Sequence, residues 1–591
     1  MPTASTSEQR RQHSTSGSED RERPPGTENS SAWAWVKELA SRLGTRTSWI
    51  LFVMLLGGVV VVPICIYFSR AFDNGGSSIR DMLDTPGFAQ TLMTTLFFAA
   101  ASTFVAAVIA VIMAALIMRV EPRWRGVASF IPQLPLVVPP LALVYGFIFL
   151  FAPRTGYANA FLRGLPFVDD NGEGPLNIYS MTGMVLIQGL EAAAIMFAMV
   201  YARMQEISGS LVAAARMSGA GAFRAFYTVT LPLLRPALVS AIVVAFLLGL
   251  GSFTAPLLLG SPEGIHVITT EVFRVREQFP IDYGLTAAFG LPLLVVGIAS
   301  IVVQRVVIGD QRRYTTHSTG RGMHTGASFW ALMAVVGYGV VTVLLPLLAV
   351  VVVAFSPYWT GDLSSVTFTL GNFEAVFSNR KVPKAITTSL VTSVLALVIV
   401  LPLAFISALA LAKVVKVPRF VQVALDYIFI APLAVPRAML GMVVLFVFIR
   451  PPFSLYGSLA LFVIGYAFIV LPFSMRSQLA SLIGVHGSLF EAARISGASQ
   501  SRMVLDIALP LARRGIAASM AIGFILLAHD FAVAVMVRSP GNQVMGTLLY
   551  ELGETGAFPE IAVMSMLITA VTATGLAITV WLGGRKSLEN L

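Results

Sequence analysis

From about residue 49 to residue 583 the chain alternates long apolar runs with short polar ones. A helix needs about 20 consecutive apolar residues to cross a bilayer. Twelve runs qualify, near 49–69, 92–118, 127–151, 181–202, 237–260, 283–308, 328–355, 386–411, 421–449, 457–475, 515–537 and 560–583. The pattern predicts an all-α polytopic membrane protein of about twelve transmembrane helices. The first 31 residues are a different phase, rich in Ser, Thr, Glu and Arg and almost devoid of large apolar residues. Such a segment cannot offset its ordering entropy by burial, so residues 1–45 are expected to form a disordered cytoplasmic tail. No short apolar core with a small-residue cleavage site follows the charged stretch, so it does not read as a signal peptide.

An even number of spans puts both termini on one side. Alternate segments beginning with the tail carry 28 Lys and Arg, and the six intervening loops carry 11. Cytoplasmic loops hold the excess, so both termini are expected in the cytoplasm of a bacterial cell membrane. Composition agrees: 56% of residues are apolar and 12% charged, with a mean hydropathy of +0.80. Soluble domains carry roughly 25% charged residues, which excludes a water-soluble fold for most of the chain. The net charge of +10 then belongs to membrane topology, with lipid as the partner and no nucleic acid. The single cysteine, Cys65, excludes an internal disulfide and any Cys-x-x-Cys motif, and reads as a small packing residue.

The chain repeats itself. The segment from Gly209 to Leu233 matches that from Gly487 to Leu511 at 13 of 25 positions without a gap, at an offset of 278. The same offset pairs Phe253 with Phe531 and Ser261-Pro262 with Ser539-Pro540, and PLVVPPLALVYG at 135–146 is similar to PLAVPRAMLG at 432–441. Two homologous six-span halves are expected, at 46–312 and 328–586. A polar linker joins them (309–327, taken as the cytoplasmic linker from 313), and a short C-terminal tail follows at 587–591. Both halves begin and end on the same side, so the repeat is parallel.

Both copies of the strongest repeat fall in long inside loops between the fourth and fifth spans of their halves. Glu491-Ala-Ala-Arg-Ile-Ser-Gly begins as a good helix former and then meets Gly497, which permits a sharp turn. Small alanines let such a helix lie close to another surface. Pro232 and Pro510 are expected to break the chain before the next span. An interfacial helix packed on its own protein would explain one copy. Two copies at equivalent topology suggest two copies of an external partner.

Glu491-Ala-Ala-x-x-x-Gly-Ala with Leu509-Pro510 downstream resembles the EAA loop of ABC-importer permeases, and the resemblance covers roughly residues 46–586. It implies the ABC importer transmembrane-domain fold and a coupling helix in each half, docked into a cleft on an ATP-binding subunit. Two copies of that subunit and an extracellular or periplasmic solute-binding protein are the implied partners. The implied coupling residues are Ala213, Ala214, Ala215 and Gly219 in the first loop and Glu491, Ala492, Ala493 and Gly497 in the second. Ala213 stands where Glu491 stands in the other copy, so the two contacts are expected to be unequal. A fused double-length chain is most similar to ferric-iron importer permeases. The same branch resembles permeases for thiamine, spermidine or putrescine, and 2-aminoethylphosphonate.

No G-x-x-x-x-G-K-[ST] occurs, so no cofactor is expected in this chain. ATP is expected on a partner, and the chain by itself is expected to be no enzyme. The six histidines are scattered, and no metal site is visible. Ionisable groups deep in spans are expensive and often functional. Glu191, Asp426, Arg437 and Asp530 are such groups. Snorkelling suits Asp426, and a hydrogen bond between spans suits Glu191. Candidate pathway residues are Ser252, Phe253, Arg437, His529, Asp530 and Phe531, because 249–264 and 527–543 occupy equivalent places and each sets a polar residue before a phenylalanine. Packing between the halves is the other reading of the two phenylalanines. A gradient-driven transporter with parallel halves shares this topology, but it would lack the duplicated loops. A membrane-embedded enzyme would need an acid–base or metal cluster at one depth, and none is seen.

Overall fold

The computed structural model describes residues 46–166, 172–207, 209–308, 328–362, 367–485 and 487–583. The expected tail at 1–45, the linker at 309–327 and the tail at 587–591 lie outside the described residues. Two series of helices follow one another in the same order. The first comprises α1 (Arg46–Ser69), α2 (Phe88–Met118), α3 (Pro122–Val137), α4 (Pro140–Phe151), α5 (Met181–Glu206), α6 (Gly209–Met217), α7 (Phe223–Leu250), α8 (Ile268–Glu277) and α9 (Tyr283–Ile308). The second comprises α10 (Phe329–Ala354), α11 (Lys381–Leu411), α12 (Arg419–Ala434), α13 (Arg437–Phe448), α14 (Leu459–Ile483), α15 (Gly487–Ile495), α16 (Gln500–Ala528), α17 (Met545–Glu554) and α18 (Phe558–Gly583). No strand occurs among the described residues.

Ten of these helices are long and apolar enough to cross a membrane unbroken, and two further spans exist only as bent pairs. The spans expected at 127–151 and 421–449 are these two pairs: α3–α4 bends by 92° and α12–α13 by 107°. Proline forces both bends. The residue before a proline is pushed out of the helical region, and here Val138 has φ −78°, ψ 131° and Val435 has φ −108°, ψ 126°. Pro139 and Pro436 are extended as well, with ψ of 131° and 143°. The helix restarts only at Pro140 and Arg437.

The breaks expected at Pro232 and Pro510 do not form. Instead the helix runs on through a π-helical turn just before each Leu-Pro, at Phe226–Thr230 and Met503–Ala508. A proline removes one N–H donor and crowds the carbonyl four residues back. Widening a single turn relieves both without ending the helix. The same device precedes Pro346, at Val340–Leu344.

Within each half the packing repeats. α2 lies along α5 and both support α7, as α11 lies along α14 and both support α16. Small residues make the close approach possible: Ala99, Ala106, Ala110, Ala192 and Ala193 are fully or almost fully buried. Dispersion and small-residue contacts drive such packing in lipid, where apolar burial gains little. The first helix of each half crosses to the other. α1 packs on α12 and α13, and α10 packs on α4. At Gly146 of α4 a Cβ would lie 2.6 Å from the Pro346 carbonyl oxygen of α10, so only glycine admits this crossing. Cys65 is exposed on the surface of α1, not packed inside as expected.

Candidate functional site

The two repeated loops fold alike. α6 and α15 each end in a Schellman turn. Gly219 N–H donates to Arg216 and Ala220 N–H to Ala215, as Gly497 N–H donates to Arg494 and Ala498 N–H to Ala493. Gly219 and Gly497 have φ of +85° and +76°, a conformation that costs other residues roughly 1–2 kcal/mol. Ala213, Ala214, Glu491 and Ala492 are exposed, and Ala215 and Ala493 partly so. Met217 and Ile495, equivalent across the repeat, are 85% and 87% exposed. Each loop thus offers an apolar, small-residue face that this chain leaves uncovered. Behind the second loop Arg494 donates to the Val414 carbonyl at 2.7 Å.

At the opposite end of the halves' shared core, Phe253 and Phe531 meet with ring centroids 5.4 Å apart. Phe253 also packs on Phe273 of α8 at 5.4 Å, Phe531 on Tyr550 of α17 at 5.3 Å, and Phe273 on Tyr550 at 6.1 Å. The four rings therefore form a closed cycle. α8 and α17 start alike: Thr270 Oγ1 accepts from Val267 N–H as Thr547 Oγ1 accepts from Val544 N–H. That register makes Phe273 and Tyr550 equivalents. Equivalent residues touch one another only near the axis relating the halves, so the cycle closes that axis. All four rings are buried.

A second contact between the halves flanks the cycle. Arg276 donates to the carbonyls of Met536 and Arg538 at 3.1 and 2.9 Å, and Arg538 pairs with Glu277 at 3.1 Å.

Next to the cycle lies a group of charges without a counterpart in the repeat. Arg437 is the first residue of α13 after the bend. Its guanidinium lies within electrostatic range of Glu191 of α5, and of His529 and Asp530 just before Phe531. The coupling acts through space, with no direct ion pair among the described residues. Asp530 Oδ2 accepts from Val533 and Ala534 N–H at 3.1 Å each, and buried His529 Nδ1 has no partner among the described residues. Pro436 lies 3.4 Å from a Cβ built on Gly251, which brings Arg437 beside Ser252 and Phe253 of the other half. Ser252 is buried, and its carbonyl accepts from Thr269 at 2.6 Å. The positions equivalent to Glu191, Arg437, His529 and Asp530 are Ile469, Pro140, Gly251 and Ser252. Asp426 stands apart, in the middle of α12, paired with Arg476 of α14 at 2.9 Å.

The structure thus brings together all six candidate pathway residues and adds three. Phe273 and Tyr550 were missed because the gapless offset of 278 fails there. One residue fewer separates Ser539 from Val544 than Ser261 from Val267, and allowing that gap aligns the two. Glu191 was weighed alone, since its charge partner lies in the other half. No group of three or more metal-binding side chains occurs among the described residues.

A family model described as the inner membrane component of binding-protein-dependent transport systems matches residues 106–313 and again 400–585. This chain belongs to that family, as a multi-pass membrane protein carrying two copies of its domain. It is similar to a ferric transport system permease protein of Actinobacillus pleuropneumoniae, 24% identical over 538 residues, covering 88% of this chain and 76% of that one. Half-length relatives match single halves. A spermidine/putrescine transport system permease protein of Haemophilus influenzae is 25% identical over 44% of this chain and 93% of its own. A molybdenum transport system permease protein of Mycobacterium bovis is 30% identical over 39% of this chain and 85% of its own.

Proposed function

We propose that this chain forms both transmembrane halves of an ATP-driven importer and moves ferric iron delivered by an external binding protein. The duplicated loop carries the importer reading: two exposed helices with left-handed glycine turns, at equivalent places in a parallel repeat. One ATP-binding subunit docks on α6 and another on α15, with both termini on their side of the membrane. Their closure pushes the loops, and rigid segments shift against each other across the halves' interface. The aromatic cycle is the outer gate, shut in this conformation. ATP drives the switch because the ATPases contact the two conformations differently. The similarity to a ferric permease across both halves supports iron as cargo, while the polyamine and molybdenum relatives mark the runner-up substrates.

The test is uptake into vesicles holding the chain, a co-expressed ATPase and a binding protein. ATP-dependent accumulation of labelled Fe(III), insensitive to a protonophore and uncompeted by spermidine or molybdate, is expected. Uptake that follows a proton or sodium gradient without ATP would instead make the chain a secondary transporter.

A further inference from the structure

α13 presents no face to lipid. It packs on α1, α8, α9, α14 and the short helix Ala532–Val537, and every residue of it except Arg437 and Val447 is buried. Arg437 is partly exposed, between buried Pro436 and Ala438. The accessible part of its side chain therefore opens on space inside the protein, beside Ser252 and the aromatic cycle. A charged group at such depth is tolerated where it meets a partner, water or a ligand. Arg437 has no hydrogen bond or ion pair among the described residues. The nearby acids do not take it up. Asp530 Oδ2 is occupied by the Val533 and Ala534 N–H groups, and Glu191 of α5 reaches Arg437 only through space.

Other donors lie close by. Leu440 N–H donates to the Pro436 carbonyl at 3.0 Å, so the N–H groups of Arg437, Ala438 and Met439 have no acceptor within α13. They stand at the positive end of a 12-residue helix. His529 is 7% exposed, lies within electrostatic range of Arg437 and keeps Nδ1 without a partner among the described residues. A guanidinium fork, free helix-start amides and an imidazole nitrogen make a donor set suited to an oxyanion. They do not suit a bare metal ion. No group of three or more metal-binding side chains occurs among the described residues, so Fe(III) alone would meet a cation at the gate and no cage of acids. The donor set occurs in one half only, since the equivalents of Arg437 and His529 are Pro140 and Gly251.

We propose that this donor set is a binding station for an oxyanion, and that iron passes the gate as a ferric–oxyanion complex whose anionic end is held by Arg437. The inference rests on the iron reading and deepens it, because it names the chemical form of the cargo. Phosphate and carboxylate share the chemistry, since both present paired oxygens to the guanidinium fork. Glu191 attracts the metal end of the same complex, so the acid and the base stand near one another without pairing. With a single station in the molecule, one complex is held at a time.

The test uses vesicles holding the chain, its ATPase and a binding protein loaded with radiolabelled Fe(III). The medium is free of bicarbonate and contains labelled phosphate in one arm and labelled citrate in the other. ATP-dependent entry of at least one of these labels in step with iron is expected, and the label that enters identifies the source. Arg437→Gln is expected to lower the entry of iron and oxyanion together by about tenfold or more, as for loss of one partner of a desolvated charge contact. Arg437→Lys should recover part of both. Co-entry in the parent decides the matter even where Arg437→Gln fails to co-purify with the ATPase. Entry of iron with neither label would overturn the station. So would a well-assembled Arg437→Gln that carries iron and oxyanion as the parent does. Entry of an oxyanion label without iron would keep the station and overturn iron as the cargo. A parent that binds no ATPase would instead overturn the importer reading.

Discussion

Gly497 adopts φ +76° with nothing within 4 Å of where a Cβ would stand. Space is therefore no obstacle to a side chain there, and backbone strain is. Gly497→Leu is expected to distort the turn after α15 and to abolish co-purification of the ATPase and uptake, with insertion and expression normal. Glu491→Ala makes the second loop like the first, which carries Ala213, so a partial loss is expected in the same two assays. Normal coupling in a well-expressed Gly497→Leu would remove this loop's role. The deep charges give a second prediction. Arg437→Met removes the cation within electrostatic range of Glu191 and Asp530, which makes the charged form of either buried carboxyl costlier. Uptake should fall at least about tenfold, a loss of roughly 1.4 kcal/mol or more, and Glu191→Gln added to Arg437→Met should restore part of it. A double variant no better than the single would show that the two do not interact. The sequence exposed the glycines because the repeat places them side by side. It hid the nearness of Glu191 to Arg437 because no local spacing encodes proximity between halves.

Elements were legible wherever apolar length decides them, and less so where backbone chemistry does. The run at 127–151 is apolar enough for a straight span, yet Pro139 turns it by 92°. At Pro232 and Pro510 the error went the other way, since a π turn keeps a helix whole across a Leu-Pro. The gate was half visible: Phe253 and Phe531 stand at the repeat offset, but α8 and α17 carry its other two rings. Aromatic pairs contribute about 0.5–1.5 kcal/mol each beyond burial, and the cycle contains four such contacts. Replacing Phe253 and Phe531 together with Ala removes three of them and opens space on the axis between the halves. In liposomes lacking ATP, the double variant is expected to leak small solutes that the parent retains, measured by release of an encapsulated dye or ion. A double variant as tight as the parent would assign these rings to packing alone.

At the scale of the molecule, the halves are built to be inseparable. α1 belongs to the first half by sequence, yet Trp49, Leu56, Val60 and Tyr67 on it are buried, and the helix packs on α12 and α13. Tyr67 stacks edge-on against Phe446 at 6.1 Å. α10 returns the exchange on α4, where Gly146 admits Pro346. Each half therefore keeps a groove that only the other half's first helix fills. Half-length relatives show that a single domain of this family exists as a separate chain, so the linker is not needed to define each fold. Cutting the chain within 313–327 and co-expressing the pieces is expected to give a complex of one copy each, stable to size-exclusion chromatography, with uptake near the parent's. Either piece alone should aggregate or be degraded, because α4 or α12 and α13 would then expose a surface shaped for a missing helix. Deleting residues 1–70 from the co-expressed first piece should destabilise the second piece, and the interlock makes that crossed effect its particular signature. A first piece that is monodisperse and stable alone would mean that α1 folds back on its own half, and that the interlock is not what holds the two together.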